Sequence, residues 1–500
     1  MKKSNQPRLI ALSFICLVVF LMTTCQPTKS EIKAEVQTDE SFPYCVHNQG
    51  SALCSTLPHD VLTQFGFDYF DLDSNLQADL DVFSWQTFIG LSWPAQENGM
   101  PDTSVTIGDA PKSKRVWQFY PSTGAVFPGQ KVINCSNDED LPVLRLSAKA
   151  GLGNHTDNPF LESTGQPLID RNGNFILYDI RLNEHEARWI EREGLNTIAG
   201  QKEHTDSVAF PVGWYANNDD RTGGSVGAME IKTSWMILDD PAAHSDYFVM
   251  DAHVHIDSLD VEGGDAPLCF KASLGLVGMH ILRKTRGPYR MSMGSGTLDT
   301  TNVTPQYWIW TSFEHIRNAP LATNPQDPTQ YTVAISTCDP PSNISTTFNL
   351  FNPACTLPNG DPCPTNTAPA KPYLWSTSPP YASSLLVNGK YGTQVVRCFD
   401  IYSSTKAVNA RFQEKLAGTV WANYMLIGTQ WQGDPATSSG KPVPGSNGNL
   451  PRYFSNTTLE TYIQLKDFGS CISCHQSAKL AGNSDKSANF SYLLQLEVTE

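Results

Sequence analysis

The sequence predicts an α+β fold in which a β-rich body, a sheet or sandwich, is followed by a small helical C-terminal region. Three observations favour this class. Between about residues 80 and 400, short apolar and aromatic runs are separated by stretches rich in Gly, Pro and Asn. From residue 401 the apolar residues recur instead at helical spacing. The chain has 500 residues, enough for more than one domain.

The chain begins with the organisation of an export signal, predicted to cover residues 1–24. Positive residues come first, and the apolar run that follows, Leu9–Met22, is too short for a stable spanning helix. The run ends at Met22-Thr23-Thr24-Cys25, which resembles a bacterial lipoprotein signal in which Cys25 becomes the lipidated first residue. Ordinary signal cleavage is the alternative, because Thr24 replaces the smaller residue usual at that position. Residues 25–44 are predicted to form a polar tether.

The cysteine count is informative for an exported chain. Of 12 cysteines, Cys16 and Cys25 belong to the signal region, and two more belong to a motif near the C-terminus. The remaining eight are an even number, which predicts up to four disulfides in an oxidising compartment. These eight are Cys45, Cys54, Cys135, Cys269, Cys338, Cys355, Cys363 and Cys398. Short spacing favours Cys45–Cys54 and Cys355–Cys363, and the other pairings are open.

Residues 45–400 are predicted to be the β-rich body. Four runs have the composition of buried strands: Val82–Ile89, Ala228–Leu238, Leu274–Leu282 and Tyr307–Phe313. One helix is predicted between them, since Asn183 and Glu186 can form a capping box and Gly194 can end the helix. The density of Pro, Asn, Ser and Thr in residues 339–380 predicts a long loop held by a disulfide.

Residues 401–500 are predicted to be the helical region. Apolar residues at helical spacing predict a helix from about Thr405 to Gln430, followed by a Gly/Pro/Ser loop over residues 431–451. Thr457-Thr458-Leu459-Glu460 reads as a capping box that opens a short helix. One more short helix and a tail are expected over residues 476–500. Whether this region is a separate domain or packs into the body is open.

The most specific motif is Cys471-Ile472-Ser473-Cys474-His475. The spacing C-x-x-C-H is that of a c-type haem attachment site, in which two thiols bind the porphyrin vinyl groups and the histidine binds the iron. A thioredoxin-like dithiol would need a βαβ context, and half of a zinc site would need a second Cys/His pair nearby. Neither context is present. The motif therefore predicts one covalent haem c held by Cys471, Cys474 and His475.

The combination of an export signal, a long body and one C-terminal C-x-x-C-H motif resembles a poorly characterised group of bacterial cytochrome c family lipoproteins. Other stretches resemble the same group: Trp85-Gln86-Thr87-Phe88, Trp93-Pro94, Gly278-Met279-His280-Ile281, Trp310-Thr311-Ser312-Phe313-Glu314-His315, Asn456-Thr457-Thr458-Leu459-Glu460 and Ser470-Cys471. The resemblance spans most of the chain after the signal. It implies haem, export and redox work, and it implies no particular substrate.

The formal net charge is −15. Residues 1–24 carry three positive and no negative side chains, so their removal would make it −18. This charge argues against nucleic acid and anionic lipid as partners. It favours a redox partner protein with a basic docking surface, although solubility alone would also explain it. The only membrane contact expected is the lipid anchor.

The second axial ligand of a haem iron is not evident, because residues 476–500 contain neither Met nor His. Either the ligand comes from upstream or the position is open. His280 lies in an apolar strand run, where an imidazole needs a partner. His315 ends an aromatic strand beside Glu314. Met291 and Met293 could each offer a thioether. For both histidines, a hydrogen-bonded core residue is the alternative.

A row of alternating residues, Asp251, His253, His255 and Asp257, would share one strand face. Such a row could bind a divalent metal. The same alternation is also typical of a half-exposed strand with a solvated face.

Two functions follow from these features. The first is an electron-transfer cytochrome, lipid-anchored on the periplasmic side of a bacterial membrane. The second is a haem-dependent oxidoreductase of peroxidase, oxygenase or dehydrogenase type, with a substrate site in the β-rich body. Candidate residues for that site are ionisable groups on apolar strands: Glu230, His280, Glu314 and His315. A third possibility is a binding protein whose haem module serves only to dock it to a redox chain. No nucleotide-binding or hydrolase motif is present.

Overall fold

A sheet of nine strands runs through the middle of the structure, a computed structural model, and its longest strand pairs with four others. The structure describes residues 42–45, 53–62, 72–111, 113–128, 135, 141–144, 165–216, 223–264, 266–286, 307–330, 332–382, 392–431, 451–466, 470–496 and 498. The described strands are β1 (Val143–Leu144), β2 (Leu177–Leu182), β3 (Gly213–Trp214), β4 (Ser225–Val226), β5 (Met229–Leu238), β6 (Val249–Ile256), β7 (Leu268–Thr285), β8 (Tyr307–His315), β9 (Leu321–Gln326), β10 (Arg397–Phe399) and β11 (Tyr424–Trp431).

The order of the sheet follows from the length of β7. One edge of β7 pairs with β5, and β5 pairs with β2, both antiparallel. The other edge pairs first with β6 and then with β8, also antiparallel. β11 extends the sheet beyond β8, and β1 runs parallel to β6. The body is therefore β-rich, as the sequence predicts, and its sheet is mainly antiparallel.

Helices cover both faces of this sheet. The described α-helices are α1 (Leu72–Leu91), α2 (Thr123–Val126), α3 (Glu184–Arg192), α4 (Ile198–Glu203), α5 (Ser403–Lys415), α6 (Cys471–His475) and α7 (Leu493–Leu496). Helices α1 and α5 pack on one face through an aromatic core in which Trp85 stacks on Phe412 with ring centroids 5.2 Å apart. The C-terminal segment, which comprises the described residues 451–466, 470–496 and 498, covers the other face. None of the helices that the structure describes has the length and hydropathy to cross a membrane.

The predicted strand Val82–Ile89 is wrong, because these residues lie inside α1. The sheet, α5 and neighbouring loops surround this part of the helix. They bury its large apolar side chains completely, namely Phe83, Trp85, Phe88 and Ile89. A helix that is buried on most sides has no polar stripe, and a short apolar run from it resembles a buried strand.

The other three predicted strands are confirmed as β5, β7 and β8. The predicted helix after Asn183 is confirmed as α3. The Asn183 side chain accepts a hydrogen bond from the Glu186 backbone, and Gly194 follows in the left-handed conformation with φ of +68°.

The two short-range disulfides, Cys45–Cys54 and Cys355–Cys363, are confirmed. The long-range pairs are Cys135–Cys269, 134 residues apart, and Cys338–Cys398, 60 residues apart. Spacing alone could not identify these two pairs, because the sheet and the loop around residues 338–398 bring their cysteines together. Cys355–Cys363 lies within the predicted long loop of residues 339–380, where the structure describes no helix or strand.

Two predictions for residues 401–500 are wrong in detail. The helix expected over Thr405–Gln430 ends at Lys415, and Tyr424–Trp431 forms a strand that pairs with β8. The capping box at Thr457–Glu460 opens only a turn and a 3₁₀ segment, Thr461–Ile463. The expected short helix near the end is confirmed as α7. Because β11 belongs to the central sheet, this region packs into the body.

Polar side chains of the sheet fasten the C-terminal segment to it. Glu314 on β8 accepts hydrogen bonds from the backbone and hydroxyl of Thr457 and contacts the Arg397 guanidinium. The Asn456 amide donates to Ser312 Oγ at 3.1 Å. Thr458 Oγ1 lies 2.7 Å from Ser234 Oγ. These contacts are buried, so the segment is held by polar contacts as well as by apolar packing.

Replacement of Glu314 by Gln should lower the free energy of unfolding by about 3–5 kcal/mol, because it leaves the buried Arg397 charge without its counter-ion. Urea unfolding followed by tryptophan fluorescence measures this loss. Glu184→Gln is the matched control, since Glu184 pairs with Arg188 at the surface and such pairs contribute less than about 1 kcal/mol. Equal losses in the two variants would contradict the expectation.

Candidate functional site

The motif Cys471–His475 forms the short helix α6, which is fixed at its first turn. Ser470 caps the helix by accepting a hydrogen bond from Ser473 N at 3.2 Å. The Cys471 backbone N–H donates to Gln430 Oε1 on β11 at 3.0 Å. Gln430 in turn donates to the backbone carbonyls of Pro451 and Arg452. A five-residue helix is unstable alone, so these bonds hold it in place.

Cys471 and Cys474 are not in disulfides, whereas the other eight described cysteines form the four pairs given above. Both are partly exposed and pack at the edge of the apolar core that contains α6 and α7. Residues at i and i+3 of a helix lie on the same side. The two thiols therefore flank one face of α6.

His475 is 8% exposed and has a defined orientation. Its Nδ1 lies 2.8 Å from the Phe490 carbonyl oxygen, which can only accept a hydrogen bond. Nδ1 must therefore carry the proton, and the lone pair of the neutral ring is on Nε2. The rings of Trp310 and Tyr492 lie edge-on to the imidazole at 5.7 and 5.1 Å. This is the arrangement in which protein imidazoles bind metals through Nε2.

A cavity lies between α6 and the sheet. It has about 480 Å³ of empty space, part of it open to solvent. Its sheet wall is made of residues on β2, β5 and β7, and its outer wall of residues from the C-terminal segment. The lining residues are Ile180, Glu230, Ile231, Lys232, His280, Leu282, His475, Tyr492, Leu493 and Leu496. Of the histidines that sequence reasoning singled out, His280 and His475 thus share one cavity.

The register of the sheet explains why His280 lies in this wall. Lys232 on β5 is paired with His280 on β7, and His280 is paired with Ser312 on β8. Paired residues project to the same face of a sheet, here the face that the C-terminal segment covers. His280 Nε2 lies 3.2 Å from Glu460 Oε2, close enough for charge interaction but outside hydrogen-bond geometry. Met291 and Met293 lie outside the described residues.

Ionisable groups extend from this wall into the core. Lys232 is 7% exposed, and its ammonium lies 4.9 Å from the centroid of the Tyr178 ring. Glu186 on α3 is completely buried and interacts with Glu230. Burial, reinforced by the Glu230 carboxylate, raises the pKa of Glu186 well above its usual range. The Glu186–Glu230 pair therefore holds a proton more tightly than a solvated carboxyl pair does.

His315, the other histidine predicted as a candidate ligand, lies outside this cavity. Its Nδ1 accepts a hydrogen bond from Arg317 N at 3.2 Å, and its Nε2 lies 3.1 Å from the Asp246 carbonyl. The ring stacks on Tyr247 with centroids 3.9 Å apart. Burial lowers its pKa to about 4. Both ring nitrogens are used in the fold, so His315 is a structural residue.

The Asp251 row does not form a solvated strand face. Asp251 is exposed and accepts from Ser273 Oγ at 2.5 Å, whereas His253 and His255 are only 6% and 9% exposed. The part of the chain that the structure describes holds no group of three or more His, Cys, Asp or Glu side chains placed to bind a metal ion. Glu314, another candidate, is engaged by Thr457 and Arg397.

Comparison with protein-family models, with curated proteins and with solved structures finds no match to this chain.

Three contributors to the site were missed in the sequence. Lys232 lies two positions after Glu230 in a largely apolar strand run, so both side chains share one face. This pattern could have indicated a polar cavity wall. Glu460 belongs to the predicted capping box, and that pattern gives no indication of its approach to His280. The Phe490 carbonyl is a backbone group, so no pattern of side chains in the sequence could predict its role.

Because His315 is buried and structural, it should make the fold sensitive to mild acid. Its pKa falls from 6.5 to about 4 on folding, so the unfolded chain binds the additional proton between these values and stability falls as the pH drops through that window. His315→Gln should remove up to about 3 kcal/mol of this pH dependence. Urea unfolding at pH 4 to 7 measures it, with the exposed His185→Gln as control. Parallel pH profiles for all three proteins would contradict the assignment.

Proposed function

We propose that this protein is a monohaem c-type cytochrome that transfers electrons on the exported side of a bacterial membrane. The observation that supports it most is the geometry of α6. Two cysteines outside any disulfide precede a histidine whose Nδ1 proton is held by the Phe490 carbonyl, which leaves the lone pair on Nε2. Four disulfides use every other described cysteine, so these two thiols are set apart from the oxidised framework.

The donor set fits haem c. Cys471 and Cys474 would form the thioether bonds to the vinyl groups, and His475 would bind the iron through Nε2. Bound there, the group would supply a one-electron redox couple. Both cysteines are partly exposed, so a group attached to them lies close to the protein surface. A redox partner can then exchange electrons without entering the fold.

The exported location rests on the N-terminal sequence and on the disulfides. Residues 1–25 resemble a lipoprotein signal with Cys25 as the lipidated residue. Four disulfides favour an oxidising compartment. Together they support a protein anchored by lipid on the periplasmic side. The net charge of −15 supports a basic docking surface on its redox partner.

The cavity favours a second candidate function, a haem-dependent oxidoreductase. Glu230, Lys232 and His280 line the same space as His475. Buried ionisable side chains are costly and cluster where protons are moved or charged ligands are bound. In such an enzyme these residues would bind a small substrate and exchange protons with it. In the carrier, His280 would instead supply a second imidazole ligand to the iron.

Expression in a host that attaches c-type haem should give one covalent haem per chain, because α6 carries the complete donor set. Mass spectrometry of the denatured protein and the pyridine haemochrome spectrum measure this. The double variant Cys471→Ser/Cys474→Ser should lose the covalent haem entirely. Cys355→Ser/Cys363→Ser, which removes a disulfide from a surface loop, is the matched control and should keep it. A folded wild-type protein without haem under these conditions would refute the proposal.

Carbon monoxide distinguishes the carrier from the enzyme. If His280 fills the second axial position, the reduced wild-type protein should be low-spin and indifferent to carbon monoxide, and His280→Ala should become high-spin and bind it. Absorption spectra with and without the gas measure both states. His315→Gln is the control, because His315 lies outside the cavity, and it should behave as wild type. Ready binding of carbon monoxide by the wild-type protein would instead favour the oxidoreductase. An unchanged low-spin spectrum in His280→Ala would exclude His280 as the ligand.

A further inference from the structure

The turn that presents the Phe490 carbonyl to His475 has an uncommon backbone. Asn489 and Phe490 both have positive φ values, +50° and +70°. Asn tolerates this region, whereas a bulky residue such as Phe rarely adopts it. Such a conformation costs free energy and persists only where surrounding contacts impose it. The contacts of this turn therefore decide where the Phe490 carbonyl points.

Asn489 provides those contacts. Its Oδ1 accepts hydrogen bonds from Trp308 Nε1 at 2.9 Å and from Lys284 Nζ at 3.2 Å. Its Nδ2 donates to the Val208 carbonyl at 2.6 Å. Lys284 lies on β7 and Trp308 on β8, and the two residues are paired across the sheet. One side chain thus ties the turn to two central strands and a loop of the body.

The same turn also touches the site through apolar contacts. The Phe490 ring lies 5.7 Å from the ring of Trp310, which in turn lies 5.7 Å from His475. With the side chain of Phe490 packed and Asn489 fixed, the carbonyl between them has little freedom to rotate. The hydrogen bond to His475 Nδ1 depends on that restriction.

Lys284 is the member of this group that can change charge. It is 1% exposed, and its ammonium lies 5.4 Å from the Trp308 ring centroid. Burial lowers its pKa to about 7. The charged groups on the elements around it point elsewhere: Arg283 binds the carbonyls of Pro58 and Val226, Arg286 lies over Trp214, and Lys486 binds the carbonyls of His204 and Asp206.

We propose that Lys284, Trp308 and Asn489 are positioning residues that hold the Phe490 carbonyl on His475, and that protonation of Lys284 tunes the reduction potential of the group bound by His475. The second half rests on the proposed haem, whereas the first concerns the orientation of His475 alone. A firm hydrogen bond from Nδ1 makes the imidazole a stronger donor and favours oxidised iron. A nearby ammonium opposes oxidation, because it repels the additional positive charge.

We call the contacts from Lys284 and Trp308 through Asn489 and the Phe490 carbonyl to His475 the relay. Two variants and two controls test it in the haem-loaded protein. The wild-type reduction potential should fall as the pH rises through 7, since Lys284 loses its charge. Lys284→Met should flatten this step, whereas the exposed Lys479→Met should keep it. Asn489→Ala should raise the potential and speed the exchange of the His475 Nδ1 proton seen by NMR. Asn489→Asp keeps the Oδ1 acceptor and tolerates positive φ, so it should restore most of the slow exchange.

The relay is overturned if Lys284→Met keeps the wild-type pH profile and Asn489→Ala leaves the exchange of the His475 proton unchanged. Failure of haem attachment is recognised separately, because the wild-type protein then shows no haemochrome. The unloaded protein tests the positioning role in that case. Nitrogen chemical shifts of the His475 ring should report the Nδ1-protonated tautomer in the wild type and in Asn489→Asp. They should report a mixture in Asn489→Ala, and identical shifts in all three would overturn the positioning role.

Discussion

The structure depends on how the ionisable side chains on one face of the sheet are buried and paired. Glu230, Lys232, His280 and Glu314 project from central strands, where ionisable side chains lose hydration without automatically finding partners. The C-terminal segment covers this face and supplies partners, since Thr457 binds Glu314 and Glu460 lies beside His280. The opposite face packs against α1 and α5 mainly through apolar side chains, which need no polar partners. The polar face therefore fixes where the described part of the C-terminal segment lies, and with it α6.

This dependence gives a reason for the size of the body. A single-electron carrier needs far fewer residues than this chain has, and a five-residue helix such as α6 has no stability of its own. Here the sheet provides several of the constraints on the motif. Gln430 on β11 holds its first turn, Trp310 on β8 packs against His475, and Asn489 is bound by two strands. The proposed haem would be held by a rigid sheet, so its properties would be set by residues distant in sequence.

The parts of the fold that depend on local sequence patterns could be predicted from the sequence. Alternating and continuous apolar runs located β5, β7 and β8, and short spacing located two disulfides. Patterns failed where tertiary contacts decide the outcome. Val82–Ile89 is helical because it is surrounded by apolar neighbours, and Thr457–Glu460 forms a turn because its polar groups bind the sheet. The approach of His280 to the cavity of His475 required the strand register, which no spacing in the sequence encodes.

The composition of the cavity wall argues that it does more than fill space. Replacing buried ionic groups by apolar side chains of similar size is often neutral or stabilising, so stability alone does not call for Lys232, His280 and Glu460 at this place. Glu230 in the same wall interacts with the buried Glu186, and this contact and burial raise the pKa of Glu186. A carrier with His280 bound to iron would use only one of these groups. A site that exchanges protons with a bound molecule would use them together. The charged wall is thus the strongest structural argument for chemistry beyond electron transfer at this cavity.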